Sequence, residues 1–118
     1  MDREKENTVT VKETETLGGT VEDYRIIKLR EPIMFEGNSY SQIDLTRLDE
    51  IKAADMVAIN RRMARSGSID ITPELTLEYA LNMANLATGL PLEFFDQLQP
   101  YAAMAIKGRV TNFLYRQG

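Results

Sequence analysis

The chain of 118 residues contains no cysteine, no histidine and no tryptophan. Without cysteine it can form neither a disulfide nor a thiolate metal site, and without histidine it lacks the commonest general base and metal ligand. It has no glycine-rich phosphate-binding loop, and no apolar run approaches the roughly 18 residues that span a bilayer. Function is therefore sought in binding surfaces rather than in a catalytic centre.

Positive charge is also scarce, and the formal net charge is -4. Residues 1–23 carry seven acidic and three basic side chains, whereas residues 24–118 carry eleven of each. A neutral domain behind an acidic leader lacks the basic face of a nucleic-acid binder. The first residues are charged where a signal peptide would be apolar, so we expect a soluble cytoplasmic protein that contacts neither nucleic acid nor membrane.

The leader, residues 1–23, is polar and has few aliphatic side chains. Such a segment cannot bury enough apolar surface to offset its ordering entropy, which predicts a disordered acidic leader with a flexible break at Gly18-Gly19. The alternation Thr8-Val9-Thr10-Val11 leaves open an edge strand instead. Residues 24–118 are long enough for a single folded domain.

The domain begins with a predicted β-hairpin. Tyr24–Leu29 is aliphatic and β-branched, which favours a strand, and Pro32 is expected at a strand end or edge because it lacks a backbone donor. Ile33–Phe35 and Ser39–Ile43 flank a turn at Glu36-Gly37-Asn38, where Gly37 and Asn38 tolerate positive φ.

Helical periodicity follows the hairpin. We predict a first helix over Leu48–Arg65, with the buried stripe Ala53, Met56, Val57, Asn60, Met63 and Ala64. A second helix, Pro73–Ala87, is expected to be capped by Thr72, to stop at Gly89 and to bury Leu86. A short helix, Pro91–Gln97, and a last helix from Pro100 to about Tyr115 complete the chain. The fold class is α+β and helix-dominant, with a small N-terminal antiparallel β-hairpin followed by three to four packed helices.

The richest apolar zone lies around the two prolines that flank the short helix. Most of it must be core, but a short helix bounded by prolines cannot bury every side, so we expect at least one of Phe94, Phe95 and Tyr101 to be partly exposed. Methionines in this zone would suit an adaptable groove. The candidate partner-binding residues are Leu90, Phe94, Phe95, Leu98, Tyr101 and Met104.

Charged clusters give weaker signals. Arg61, Arg62 and Arg65 are interpreted as cations that favour a helix C-terminus, and the pairs Asp49 with Glu50 and Glu93 with Asp96 as acids in first helical turns. No calcium-loop spacing is present. We therefore expect no catalytic residues, no metal and no cofactor.

The order of these segments resembles the tail assembly chaperones of tailed bacteriophages, particularly of contractile-tailed phages, over residues 24–115. The hairpin carries Ile27-Lys28-Leu29-Arg30-Glu31-Pro32, Phe35-Glu36-Gly37-Asn38 and Ile43-Asp44-Leu45-Thr46-Arg47-Leu48. The C-terminal half carries Ala87-Thr88-Gly89-Leu90-Pro91-Leu92, Phe95, Leu98 and Val110-Thr111-Asn112-Phe113-Leu114.

The resemblance implies a non-catalytic protein of the host cytoplasm, absent from the mature virion. Its implied partners are the phage tape measure protein, which it would keep soluble, the tail tube protein, which it would help to recruit, and in many relatives a frameshifted longer form of itself. Two alternatives stay open. One is a small structural subunit or adaptor retained in a phage or phage-like particle, and the other is an enzyme that uses carboxylates alone.

Overall fold

The computed structural model describes residues 21–116, with side-chain environments from residue 23 onward. The predicted acidic leader therefore lies mostly outside the described residues. Its last three residues are helical, because a short helix α1 spans Val21–Arg25. Tyr24, which the sequence placed in a strand, belongs to this helix, and the strand begins two residues later.

The hairpin consists of strands β1 (Ile26–Phe35) and β2 (Asn38–Asp44), and the helices follow it. Their order is a 3-10 helix Thr46–Glu50, α2 (Ala53–Arg65), a 3-10 helix Pro73–Leu75, α3 (Leu77–Thr88), α4 (Leu92–Asp96) and α5 (Pro100–Tyr115). The α+β, helix-dominant prediction is confirmed.

The hairpin turn has two residues, Glu36 and Gly37, with φ of 49° and 84°. Two consecutive residues at positive φ match the right-handed twist of the flanking strands, and glycine adopts this conformation without strain. Gly37 was predicted in this role. Asn38 was not correctly placed, because it pairs with Phe35 and begins β2.

The hairpin contains a large bulge in β1. Lys28 pairs with Gln42 and Ile33 with Tyr40, so the four residues 29–32 face the single residue Ser41. Pro32, which cannot donate to a strand partner, lies inside this bulge. Next to the bulge, at the open end of the hairpin, the paired Ile27 and Ile43 are buried and anchor the hairpin to the helices.

Helix α3 occupies the centre of the core. Small side chains at Ala80, Ala84 and Ala87 let neighbouring elements approach its backbone, while Tyr79 and Met83 fill the remaining space. The N-terminal end is capped by Thr76, whose hydroxyl accepts a hydrogen bond from the Tyr79 N–H at 3.1 Å. The predicted cap was wrong by one turn, because Thr72 precedes a separate 3-10 helix and makes no such bond. Gly89 at φ 78° ends the helix as predicted.

The first long helix is shorter than predicted and presents a different face. A 3-10 helix and two extended residues replace its first turn, and α2 starts at Ala53. Only Ile59 and Met63 are buried, whereas Val57 is 46% exposed and Ala53, Asn60 and Ala64 are exposed. Of the predicted stripe, Met63 is buried and Met56 is partly buried against the core. The other four residues were wrongly assigned to the core, because most of the apolar face of α2 has no covering element.

Leu86 also departs from its predicted place in the core, with 38% of its surface exposed. It lies seven residues, about two turns, beyond Tyr79 on the same side of α3. The protein covers that side around Tyr79 much more completely than around Leu86.

Met83→Ala should destabilise the fold by about 2–5 kcal/mol, because it opens a cavity in the fully buried centre. Leu86→Ala on the same helix should cost about 1 kcal/mol or less, since part of that side chain is already hydrated. Urea unfolding of both variants measures the difference. Equal losses would mean that Leu86 is as well packed as Met83.

Candidate partner-binding surface

Two of the six candidate residues belong to the core. Phe94 and Phe95 are buried, and their rings meet edge to face with centroids 5.2 Å apart. Phe94 also contacts the rings of Phe35 at 5.6 Å and Tyr40 at 5.1 Å. This aromatic cluster attaches the hairpin to α4. Both rings therefore lie beneath the protein surface and are not accessible to a partner.

The other four candidates reach the surface to different extents. Leu90 and Leu98 are partly buried against the core. Tyr101 is partly exposed, as expected for at least one of the three aromatic candidates, and Met104 is 54% exposed. Tyr101 and Met104 are three residues apart on α5 and therefore share one side of that helix.

Tyr101 has a structural role that the sequence did not indicate. Its hydroxyl oxygen accepts a hydrogen bond from the backbone N–H of Arg30 at 2.7 Å, and the Arg30 guanidinium lies over its ring, 4.1 Å from the centroid. Arg30 belongs to the bulge of β1, so Tyr101 fastens the bulge to the start of α5.

Beside Met104 the surface continues as a shallow groove between α1 and α5. Arg109 fixes its edge, since its Nε donates to the Tyr24 carbonyl oxygen at 2.9 Å and its guanidinium lies 4.7 Å from the centroid of the Tyr24 ring. We use the name α5 face for the exposed side of α5 that carries Tyr101 and Met104, together with this groove. The groove is lined by Tyr24, Met104, Lys107, Gly108, Thr111, Asn112 and Arg116.

A second groove, between α2, the second 3-10 helix and the end of α5, was missed by sequence reasoning. We call it the α2–α5 groove. The sequence did contain a feature that belongs to this groove, the apolar stripe of α2. The stripe was assigned to the core, but it forms one wall of the open groove. The lining residues are Ala53, Met56, Val57, Asn60, Glu74, Tyr79, Leu114 and Tyr115.

Polar groups lie at one end of the α2–α5 groove. The Tyr115 hydroxyl donates to a Glu74 carboxylate oxygen at 3.0 Å, and this bond raises the Tyr115 pKa. Burial raises the pKa of Tyr79, and the nearby Glu74 charge and Tyr115 add to the shift. The two phenols stay protonated at neutral pH and can serve as hydrogen-bonding groups.

Three residues of the predicted charged clusters have partners within the fold. Arg62 donates to the side-chain oxygen of the buried Asn82. Asp49 forms an ion pair with Arg25 at 2.9 Å, and Glu50 with Arg47 at 3.0 Å. Within residues 21–116, no group of three acidic side chains is placed to hold a metal ion. No described helix is long and apolar enough to cross a membrane.

The comparison with protein families matches residues 26–115 to a family model described as "Phage tail assembly chaperone proteins, E, or 41 or 14". The match starts at the first residue of β1 and ends at the last residue of α5. The chain belongs to this family. No curated protein and no solved structure gave a significant match. The matched region of this tail assembly chaperone contains every lining residue of the α2–α5 groove and all those of the groove beside α5 except Tyr24 and Arg116. The resemblance to the family is confirmed.

Tyr101→Phe should cost the chaperone about 0.5–1.5 kcal/mol, because it removes the hydroxyl that accepts from the Arg30 N–H while keeping the ring beneath the guanidinium. Tyr24→Phe is the matched control. Its ring also stacks on an arginine, but its hydroxyl has no hydrogen bond within the described residues, so its stability should change by less than about 0.5 kcal/mol. Chemical denaturation compares the two variants. Equal unfolding midpoints would mean that the hydrogen bond between Tyr101 and Arg30 does not stabilise the fold.

Proposed function

We propose that this chaperone binds the phage tape measure protein in the host cytoplasm, keeps it soluble, and helps to recruit tail tube subunits. It acts by binding alone, without catalysis and without entering the mature virion. Family membership supports a role in tail assembly. The exposed apolar surface of a small neutral domain supports the more specific role in binding.

The observation that carries the proposal is the exposure of Met104 beside Tyr101 on the α5 face. A methionine with more than half of its surface in water is available to a partner, and its flexible thioether adapts to varied apolar side chains. An amphipathic helix buries apolar groups at i, i+3, i+4 and i+7 when it lies in such a groove. We assign this binding role to a helical stripe of the tape measure protein.

The remaining candidate residues contribute unequally to this surface. Tyr101 is fixed by the bulge of β1, so it offers a rigid ring edge at low entropic cost. Leu90 and Leu98 are partly buried against the core, and neither lines the groove beside α5. Phe94 and Phe95 act indirectly, because their buried rings hold α4 against the hairpin.

The charge balance suits a protein that crowds along a filament. The described domain is close to neutral, while the chain as a whole carries -4. Net negative charge keeps many copies soluble at high local concentration. The structural-subunit alternative predicts retention in finished particles, so immunoblots of purified virions distinguish it from the chaperone role.

Met104→Asp should weaken co-purification with the tape measure protein by about tenfold or more, because it places a charge at the centre of the proposed contact. The fold should keep its melting midpoint, since the side chain is already largely in water. Pull-down of co-expressed, tagged tape measure protein measures the effect.

Ile69→Asp is the matched control for this experiment. Ile69 is 94% exposed in the loop after α2, so the same change of apolar to acidic side chain is made away from the α5 face. It should leave binding unchanged. Undiminished binding by Met104→Asp would exclude the α5 face as the contact, whereas a loss in both variants would indicate a nonspecific effect of added negative charge.

A further inference from the structure

The α2–α5 groove combines apolar walls with polar groups at one end. Met56 and Val57 of α2 form one wall, and Leu114 of α5 forms the other. Val57 is exposed despite its branched apolar side chain, and Tyr115 beyond Leu114 is 59% exposed. An apolar groove of this kind, rimmed by polar residues, is typical of a surface that another protein covers.

Tyr79 gives an independent sign of a missing partner. The residue is 1% exposed and lines the groove. Within residues 21–116 its backbone N–H bonds to Thr76, but its hydroxyl has no hydrogen bond. Buried phenol hydroxyls normally have a partner, because an unpaired one costs free energy. Glu74 and Tyr115 line the same groove as Tyr79.

Glu74 is the second polar group of the groove that lacks a partner, in this case a partner of opposite charge. Its carboxylate accepts from the Tyr115 hydroxyl, but no lysine or arginine among the described residues forms an ion pair with it. Glu74 therefore presents an uncompensated negative charge at the end of an apolar groove.

We propose that the α2–α5 groove docks an amphipathic helical segment of another protein that carries an arginine next to its apolar side chains. The apolar groups lie between α2 and α5. The guanidinium pairs with the Glu74 carboxylate and donates to the Tyr79 hydroxyl, since one planar group with five N–H donors can reach two acceptors. Arginine is favoured over lysine because its plane also stacks on a tyrosine ring, here that of Tyr115. This site is separate from the α5 face and does not depend on the tape measure assignment.

The test uses the full-length chain and a synthetic 16-residue amphipathic peptide, with leucines at i and i+4 and arginine one turn further. A matched peptide replaces arginine by citrulline, which keeps the shape but lacks the charge. Chemical shifts of the 15N-labelled protein follow the titration. We expect shifts at Val57, Asn60 and Leu114, and affinity at least about tenfold higher for the arginine peptide.

Three variants locate the interaction, and a fourth serves as the control. Glu74→Gln should remove the preference for arginine over citrulline, and Val57→Asp should weaken both peptides. Tyr79→Phe should keep or raise the melting midpoint, because the lost hydroxyl has no partner within the described protein, while it weakens the arginine peptide several-fold. Met104→Asp should bind the peptide normally, which separates this site from the α5 face.

Four results would overturn the proposal. They are no shifts in the groove at millimolar peptide, equal affinity for arginine and citrulline peptides, a Tyr79→Phe variant that is clearly destabilised, and a dimer of the chain alone that Val57→Asp dissociates. The last result would make a second copy of this chain the occupant.

Discussion

The architecture depends on burying most of the apolar surface of helix α3. Tyr79, Met83 and three alanines face other elements, so the hairpin, α2, α4 and α5 must each pack against this one helix. In a domain of this size no further layer exists to cover their outer faces. Surrounding elements are therefore buried on one side only, and apolar groups such as Val57 and Met104 are left in water. Both grooves are a consequence of this single central helix.

The orientation of α2 depends on a polar contact between α2 and α3. Asn82 of α3 is 3% exposed, yet its amide is satisfied at both ends. Its nitrogen donates to the Glu78 carbonyl at 2.9 Å, and its oxygen accepts from Arg62. A buried amide that lost Arg62 would be left with an unsatisfied acceptor, which costs more than the bond contributes. The Arg62–Asn82 pair fixes the rotation of α2 about its own axis. The buried side chains of α2, Ile59 and Met63, are too few to do so alone.

Features set by local chemistry could be predicted from the sequence. Gly89 ends α3 because it adopts positive φ, and Pro100 begins α5 because the first helical turn needs no donor there. Features set by distant contacts could not. Periodicity gives an apolar face but not what covers it, so Leu86 and Val57 were assigned to the core. Tyr101 was predicted as a binding residue, and its bond to a backbone N–H 71 positions away has no local signal.

The bulge of β1 has a further consequence for the exposed edges of the sheet. A two-stranded sheet has two unpaired edges, and a regular ten-residue strand would offer its neighbour an uninterrupted row of backbone groups. The insertion of residues 29–32 breaks the spacing of those groups, and Pro32 removes one donor altogether. With its Arg30 N–H already bonded to Tyr101, this stretch is a poor template for a second chain. The irregular strand therefore disfavours edge-to-edge pairing between copies of the chain.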